Sequence, residues 1–239
     1  MNTQSLKNLM KAIQAAPGKT NRQKMEACMQ ILLCTLAPMA NYQGGLYIQM
    51  DHRAMGFTPI GKRESHHWER ELVKAYMEAV MWAPPFTDIL SEVHGLMLYD
   101  KKAEGLGQFF TPKDLAQLTA ELGECHLKRH KPKGDKLCDP TCGAGALILA
   151  TLALRDEETL AKTIVVAQDI DPLCCAMTAL QILAGQVVSR RLIGEVRVEC
   201  KNVLTVVEER TVFRSRRDLN EPQQAMLEVL RACSSKEAA

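Results

Sequence analysis

DPTCGAGAL, residues 139–147, decides how this chain is read. An acid, a proline and two glycines stand between a short apolar run (KLC) and a very apolar one (ALILATLAL). Such a passage from strand to helix through glycines is the ligand-binding turn of an open parallel sheet. The residues downstream repeat the pattern. TIVVAQDI (163–170) is a β-branched strand, and DPLCCAMTALQILAG (171–185) is a helix with Asp171 as cap and Pro172 behind it. EVRVEC (195–200) alternates like a half-exposed strand. Together these make a β-α-β-α-β half of a parallel sheet.

Working back from the turn, TPKDLAQLTAEL (111–122) predicts a helix with Thr111 as N-cap, Pro112 at its first position and Leu115, Leu118 and Leu122 on one face. A basic connector, HLKRHKPKGDK (126–136), joins it to the turn. The first hundred residues show a 3.6-residue apolar period over 21–37, 64–82 and 87–100. Gly, Pro and Asp interrupt it over 40–61, a long loop with room for a short strand. The expected organisation is a mainly helical N-terminal domain (1–104) and an α/β domain (105–239), whose tail from 221 reads as one helix.

The totals set limits. A chain of 239 residues with 46% hydrophobic content can bury a core, and 30 basic against 28 acidic residues neither argues for nor excludes a nucleic-acid partner. No apolar run of about 18 residues and no signal-type block is read, so no membrane and a cytoplasmic location are expected. Nine cysteines, an odd number scattered through apolar segments, read as reduced and mostly buried thiols. No metal site is expected. His66 and His67 are adjacent and point about 100° apart on a helix, and Cys138 and Cys142 form no Cys-x-x-Cys pair.

At the turn, Gly143 and Gly145 permit close backbone approach of a ligand, and Asp169, ending the second strand, is placed to receive ribose hydroxyls. A leading Asp139 repels a pyrophosphate but receives an ammonium. That favours an amino-acid-bearing nucleoside, S-adenosylmethionine, over a dinucleotide.

GQFFTP (107–112), DPTCGAGAL (139–147) and AQDIDP (167–172) resemble, in order and spacing, three successive motifs of the N6-adenine DNA methylase family, the modification subunits of type I restriction systems and their relatives. The likeness spans roughly residues 86–205. It implies a Rossmann-like methyltransferase sheet in which Phe110, Thr111 and Pro112 meet the methionine end of S-adenosylmethionine. Asp139, Pro140, Thr141, Gly143 and Gly145 would line its amino-acid moiety, Asp169 and Ile170 would hold the ribose side, and Asn202 would stand near the adenine. Ala146 occupies a position where the family usually has glycine, and Asn202 one where Asp is commoner.

The family's base-holding element, Asn or Asp followed by Pro-Pro and Phe or Tyr, does not occur after Asn202. Ala83-Pro84-Pro85-Phe86 lacks the acceptor and precedes the first motif, so it reads as the junction of two helices. Asn220-Glu221-Pro222-Gln223 lacks the ring. A truncated sheet is expected, with an open edge near VLTVVEE or RTVFR covered by the N-terminal helices, the C-terminal helix or another subunit. The likeness implies two candidate functions. One is an S-adenosylmethionine-binding adenine methylase relative, without catalytic residues of its own and completed by a partner or a homo-oligomer, acting on double-stranded DNA. The other is a non-catalytic regulatory or anti-restriction protein. Lys128, Arg129, Lys131, Lys133 and Lys136, with Arg190, Arg191, Arg214, Arg216 and Arg217, are candidate phosphate contacts.

Overall fold

The computed structural model describes residues 3–57, 66–98, 110–130, 136–205 and 210–217, without the side chains of 42–44, 98 and 128–130. Five strands form one open sheet: β1 (Tyr47–Met50), β2 (Lys136–Asp139), β3 (Ile164–Asp169), β4 (Glu195–Cys200) and β5 (Arg210–Arg216), in the order β1-β5-β4-β3-β2. β2, β3 and β4 are parallel, with Asp139 opposite Ala167 and Asp169 opposite Cys200. Their side chains alternate, so Val165, Ala167, Val196 and Val198 turn inward and are fully buried.

Helical crossovers join the parallel strands. α6 (Ala146–Leu154) and the short α7 (Glu157–Lys162) run between β2 and β3, and α8 (Pro172–Ser189) between β3 and β4. Asp171 caps α8 by accepting from Leu173 N–H at 2.9 Å, and Pro172 supplies the preset φ of a first turn. Residues 173–186 of α8 are all buried. Although no membrane-length apolar run was expected, α8 is long and apolar enough by composition to span one, and 78% of it is buried inside the protein. A helix apolar on every side is what an interior position requires.

The N-terminal half supplies what covers α8. α1 (Thr3–Gln14), α2 (Asn21–Gly44), α3 (His67–Met81) and α4 (Leu90–Leu98) pack into the same core cluster as the sheet, with α2 and α3 both against α8. α1 was not anticipated, yet Leu6, Leu9 and Ile13 lie on one face and are buried. The expected loop over 40–61 is corrected at its start. α2 continues through Pro38 to Gly44, and Gly45 ends it in the left-handed region at φ 64°, leading directly into β1. The proposed division at residue 104 and the tail beyond 217 lie outside the described residues.

β1 changes the expected topology. It pairs antiparallel with β5, so the edge anticipated at RTVFR is covered by a strand from the N-terminal half and not by helices. Among the described residues the edge strands are β1 and, at the other end, β2, each with a neighbour on one side only. Two of the arginines read as phosphate contacts have partners here: Arg214 and Arg216 converge with Arg197 on Glu195.

α5 (Lys113–His130) begins one residue later than predicted, with Pro112 C=O accepting from Ala116 N–H at 2.9 Å. Its leucine stripe is also not where a core would put it. Leu115, Leu118 and Leu122 are exposed, while Ala116 and Ala120 are buried. The small alanine face lets α5 lie close to α6, and Glu124 of α5 is tied to buried Arg155 behind α6 at 2.8 Å.

The tightest link between the halves is Arg22 of α2. Its Nη1 and Nη2 donate to Asp171 Oδ2 and Oδ1 at 3.0 and 2.6 Å. The Asp171 side chain is 1% exposed and that of Arg22 27%. Removing Arg22 leaves an uncompensated buried charge at the cap of α8, so Arg22→Ala should destabilise the protein by about 2 kcal/mol, below the full buried-pair range because Arg22 keeps some water. Urea unfolding of both proteins at neutral pH measures it.

Candidate cofactor crevice

Three parallel strands end side by side; Asp139 and Asp169 are the last residues of β2 and β3, and Asn202 lies in the loop after β4. Asp139 is buried, and its Oδ1 accepts from Thr141 N–H at 3.1 Å. Pro140 and Thr141 are exposed at the lip of the turn. Cys142 N–H donates to Gln168 C=O at 2.8 Å, pinning the loop to the end of β3.

The two glycines also tie the turn together from within. Gly143 and Gly145 stand at φ 54° and 94°, where L side chains are strained. Their N–H groups are committed inside the protein: Gly143 donates to Asp169 Oδ2 at 2.9 Å and Gly145 to Cys142 C=O at 2.8 Å. What the missing side chains provide is close packing. A Cβ on Gly143 would lie 3.0 Å from the Phe110 ring, and one on Gly145 3.1 Å from Thr178 Oγ1.

Asp169 is the knot of the crevice. Besides holding Gly143, its Oδ1 accepts from Asp171 N–H at 2.9 Å, so one carboxylate fixes both loops. Each oxygen keeps acceptor capacity for a ligand. Ile170, next to it, is 60% exposed and offers an apolar surface at the rim. Asn202 folds onto its own loop, with Oδ1 accepting from Leu204 N–H at 3.0 Å. Thr111 is half-buried and Pro112 exposed, next to Phe110. Residues 107–109 of the first motif lie outside the described residues.

Three supporting residues were not anticipated. Thr178 donates Oγ1–H to Gly143 C=O, and Gln181 donates Nε2–H to Ala144 C=O, each at 2.8 Å. They are polar residues three apart on a helix otherwise apolar in this stretch, a visible signal for a buttress under the glycine turn. His94 of α4 is the third. It is buried, its ring meets Phe110 edge-on at 4.5 Å, and its Nε2 has no hydrogen-bond partner among the described residues. Burial pushes its pKa down to about 4, so the ring is neutral at physiological pH.

The electrostatics favour a cation. Burial first, and then the charge of Asp169, push the Asp139 carboxyl above its ordinary value against the Thr141 hydrogen bond. Among the described residues the partners of both carboxylates are backbone N–H groups, and no Lys or Arg pairs with either. Two neighbouring carboxylates with no cationic partner among the described residues, beside an apolar rim, suit a ligand carrying an ammonium and a hydroxylated ring.

Residues 75–189 match the family described as N-6 DNA Methylase. The match runs from within α3 to the end of α8, so it includes Phe110, the glycine turn and Asp169 and stops before Asn202. No curated protein and no solved structure matches the chain.

Because the folded-state pKa of Asp139 is raised, the folded protein binds its proton more tightly than the unfolded chain. Burial therefore costs stability above the raised value; the cost shrinks as pH falls through the carboxylate range and vanishes below it. Asp139→Asn, which keeps an oxygen for Thr141, should stabilise the ligand-free protein at pH 7 by on the order of 1 kcal/mol. Thermal melts at pH 7 and pH 3.5 should show that gain and its loss.

Proposed function

We propose, from the relation of residues 75–189 to the N6-adenine DNA methylases, that this chain binds S-adenosylmethionine in the crevice at the ends of β2, β3 and β4, on a Rossmann-like methyltransferase half-sheet. The observation that carries the reading is the pair of carboxylates, Asp139 and Asp169, ending neighbouring strands beside the glycine turn, where among the described residues neither meets a cationic side chain. Asp139, with Pro140, Thr141, Gly143 and Gly145 around it, would face the amino-acid end. Asp169 would take ribose hydroxyls through its remaining lone pairs, with Ile170 against an apolar face of the nucleoside. Phe110, Thr111 and Pro112 would close the methionine side, and Asn202 would border the adenine. When bound, the cofactor supplies an electrophilic methyl on a sulfonium. The chain's own residues bind and orient it, and the carboxylates balance its charge.

The acceptor and ring that hold a target base are not at this crevice among the described residues. The Pro-Pro-Phe run of residues 84–86 packs its Phe86 ring against Gly185, two helical turns along α8 from Thr178. On this reading the chain presents cofactor, and a partner chain or second copy, docked along the free edge of β2, brings the target-holding element to duplex DNA. Without correct placement of the amine, most of the attainable rate is forfeited. The same observation favours a second reading, a binding or anti-restriction protein that occupies a methylase partner without transferring methyl groups. Free thiols at all eight described cysteines suit a reducing, cytoplasmic setting for either.

Calorimetry with S-adenosylmethionine should show binding that Asp169→Asn weakens roughly tenfold, one charge-assisted contact's worth. No heat from the unaltered protein would remove the cofactor reading. A labelled-methyl assay on adenine-containing duplex DNA should give no transfer by the chain alone and transfer with a completing partner. Cofactor binding with no transfer in the presence of cognate methylase subunits would favour the regulatory reading.

A further inference from the structure

Two cysteines flank the stretch of backbone that leads from Asp169 into α8. Cys175, in the first turn of α8, is fully buried, and its Sγ–H donates to Asp169 C=O at 3.6 Å and Glu199 C=O at 3.7 Å. Cys200, the last residue of β4, stands opposite Asp169 in the parallel pairing, and its Sγ–H donates to Ile170 C=O at 3.6 Å. The two sulfurs therefore lie against consecutive carbonyls, those of residues 169 and 170. They also hydrogen-bond to each other.

Their surroundings differ in the way a reactive pair requires. A cysteine reacts as its thiolate, and reactive ones sit partly exposed beside a cation. Cys200 is partly exposed, and Arg210 stands opposite it in the pairing of β4 with β5. The hydrogen bond from Cys175 is the main cause of a lowered pKa at Cys200, and the charge of Arg210 adds to it, against burial and the charges of Asp169 and Asp171. Cys28, Cys142 and Cys174 are buried, and desolvation pushes each of these thiols up, which keeps them inert. Cys175 is shielded from solvent as well, but it has to reach only Cys200.

We propose that Cys175 and Cys200 form a peroxide-sensitive thiol pair whose disulfide resets the loop carrying Asp169. The Cys200 thiolate attacks one oxygen of hydrogen peroxide. The O–O bond breaks, and the other oxygen leaves as hydroxide and takes up the proton the thiol released, giving water and a Cys200 sulfenic acid. The Cys175 sulfur then attacks Cys200 Sγ. The S–S bond forms as the S–O bond breaks, and the departing hydroxide takes the Cys175 proton as a second water. Two thiols are oxidised and one peroxide is reduced.

The new bond draws the sulfurs from hydrogen-bonding contact to about 2.05 Å, and it removes the S–H donors from the carbonyls of Asp169 and Ile170. Gly143 N–H and Asp171 N–H both donate to the Asp169 carboxylate, so a shift at residues 169–170 reaches both loops of the crevice. The consequence for a ligand rests on the cofactor reading; the thiol pair itself does not.

The test takes the full chain, reduced and then exposed to dilute hydrogen peroxide, alkylated, digested with trypsin and mapped by mass spectrometry. The peptides holding Cys175 and Cys200 should be joined with the loss of two hydrogens, and dithiothreitol should separate them. Cys174→Ser should leave the link in place. Cys175→Ser should stop the reaction at a Cys200 sulfenic acid captured by dimedone, and Cys200→Ser should leave Cys175 a free thiol. Oxidation should move the amide NMR signals of Gly143 and Asp171 and weaken S-adenosylmethionine binding roughly tenfold, inside the usual range of such couplings. In Cys200→Ser neither should respond to peroxide. No link between the two peptides, or one that persists in Cys175→Ser, overturns the pair. A link with unmoved amide signals, or with a measurable and equal affinity before and after, overturns its effect on the crevice. A link with moved signals upholds the switch even where the reduced protein gives no S-adenosylmethionine heat, a result that removes only the cofactor reading.

Discussion

One carboxylate holds the functional end of this protein together. Asp169 accepts from Gly143 N–H on one side and Asp171 N–H on the other, joining the loop after β2 to the loop after β3. Asp171, so positioned, caps α8 and receives the fork of Arg22. A single chain of charge-assisted hydrogen bonds thus runs from the glycine turn through the central helix to the N-terminal half. Because these bonds are largely shielded from water, each link fixes the geometry of the next.

α8 is the mechanical centre of that chain. Its apolar sides satisfy the sheet and the N-terminal helices at once, and its few polar side chains are spent at particular points. Thr178 and Gln181 hold the underside of the glycine turn, Gln181 also receives the first N–H groups of α4, and Gly185 makes room for Phe86. The crevice at the strand ends and the cavity lined by residues 83–87 are consequently built against the same helix, with Gln181 between them.

Much of this was legible in the residues themselves. The β-branched run ending in Asp169, the Asp171-Pro172 start of α8 and the glycines of the turn each have a local cause, so their elements form where the pattern puts them. The leucines of α5 were misleading, because 3.6-residue spacing shows that a face is apolar and not which way it turns; Ala116 and Ala120 won the contact with α6 by being small. β1 was only hinted at, since four residues carry little periodic signal and its hydrogen bonds go to β5, far away in the chain. His94 looked like one more residue of a helix until its ring was placed against Phe110.

By itself the sequence determined the parallel β-α-β-α-β core, the glycine turn and the two acids at its strand ends, because these depend on short-range backbone preferences and on alternation along single elements. Only the tertiary structure decided that β1 pairs with β5 at that side of the sheet, that the glycine N–H groups are turned inward, Gly143 to Asp169 and Gly145 to Cys142, and that Tyr76 lies fully buried. The strand pairing, the Asp169 contact and the burial of Tyr76 each join parts of the chain that are distant in sequence. Their energy comes from desolvation and close packing, which arise only when those parts meet.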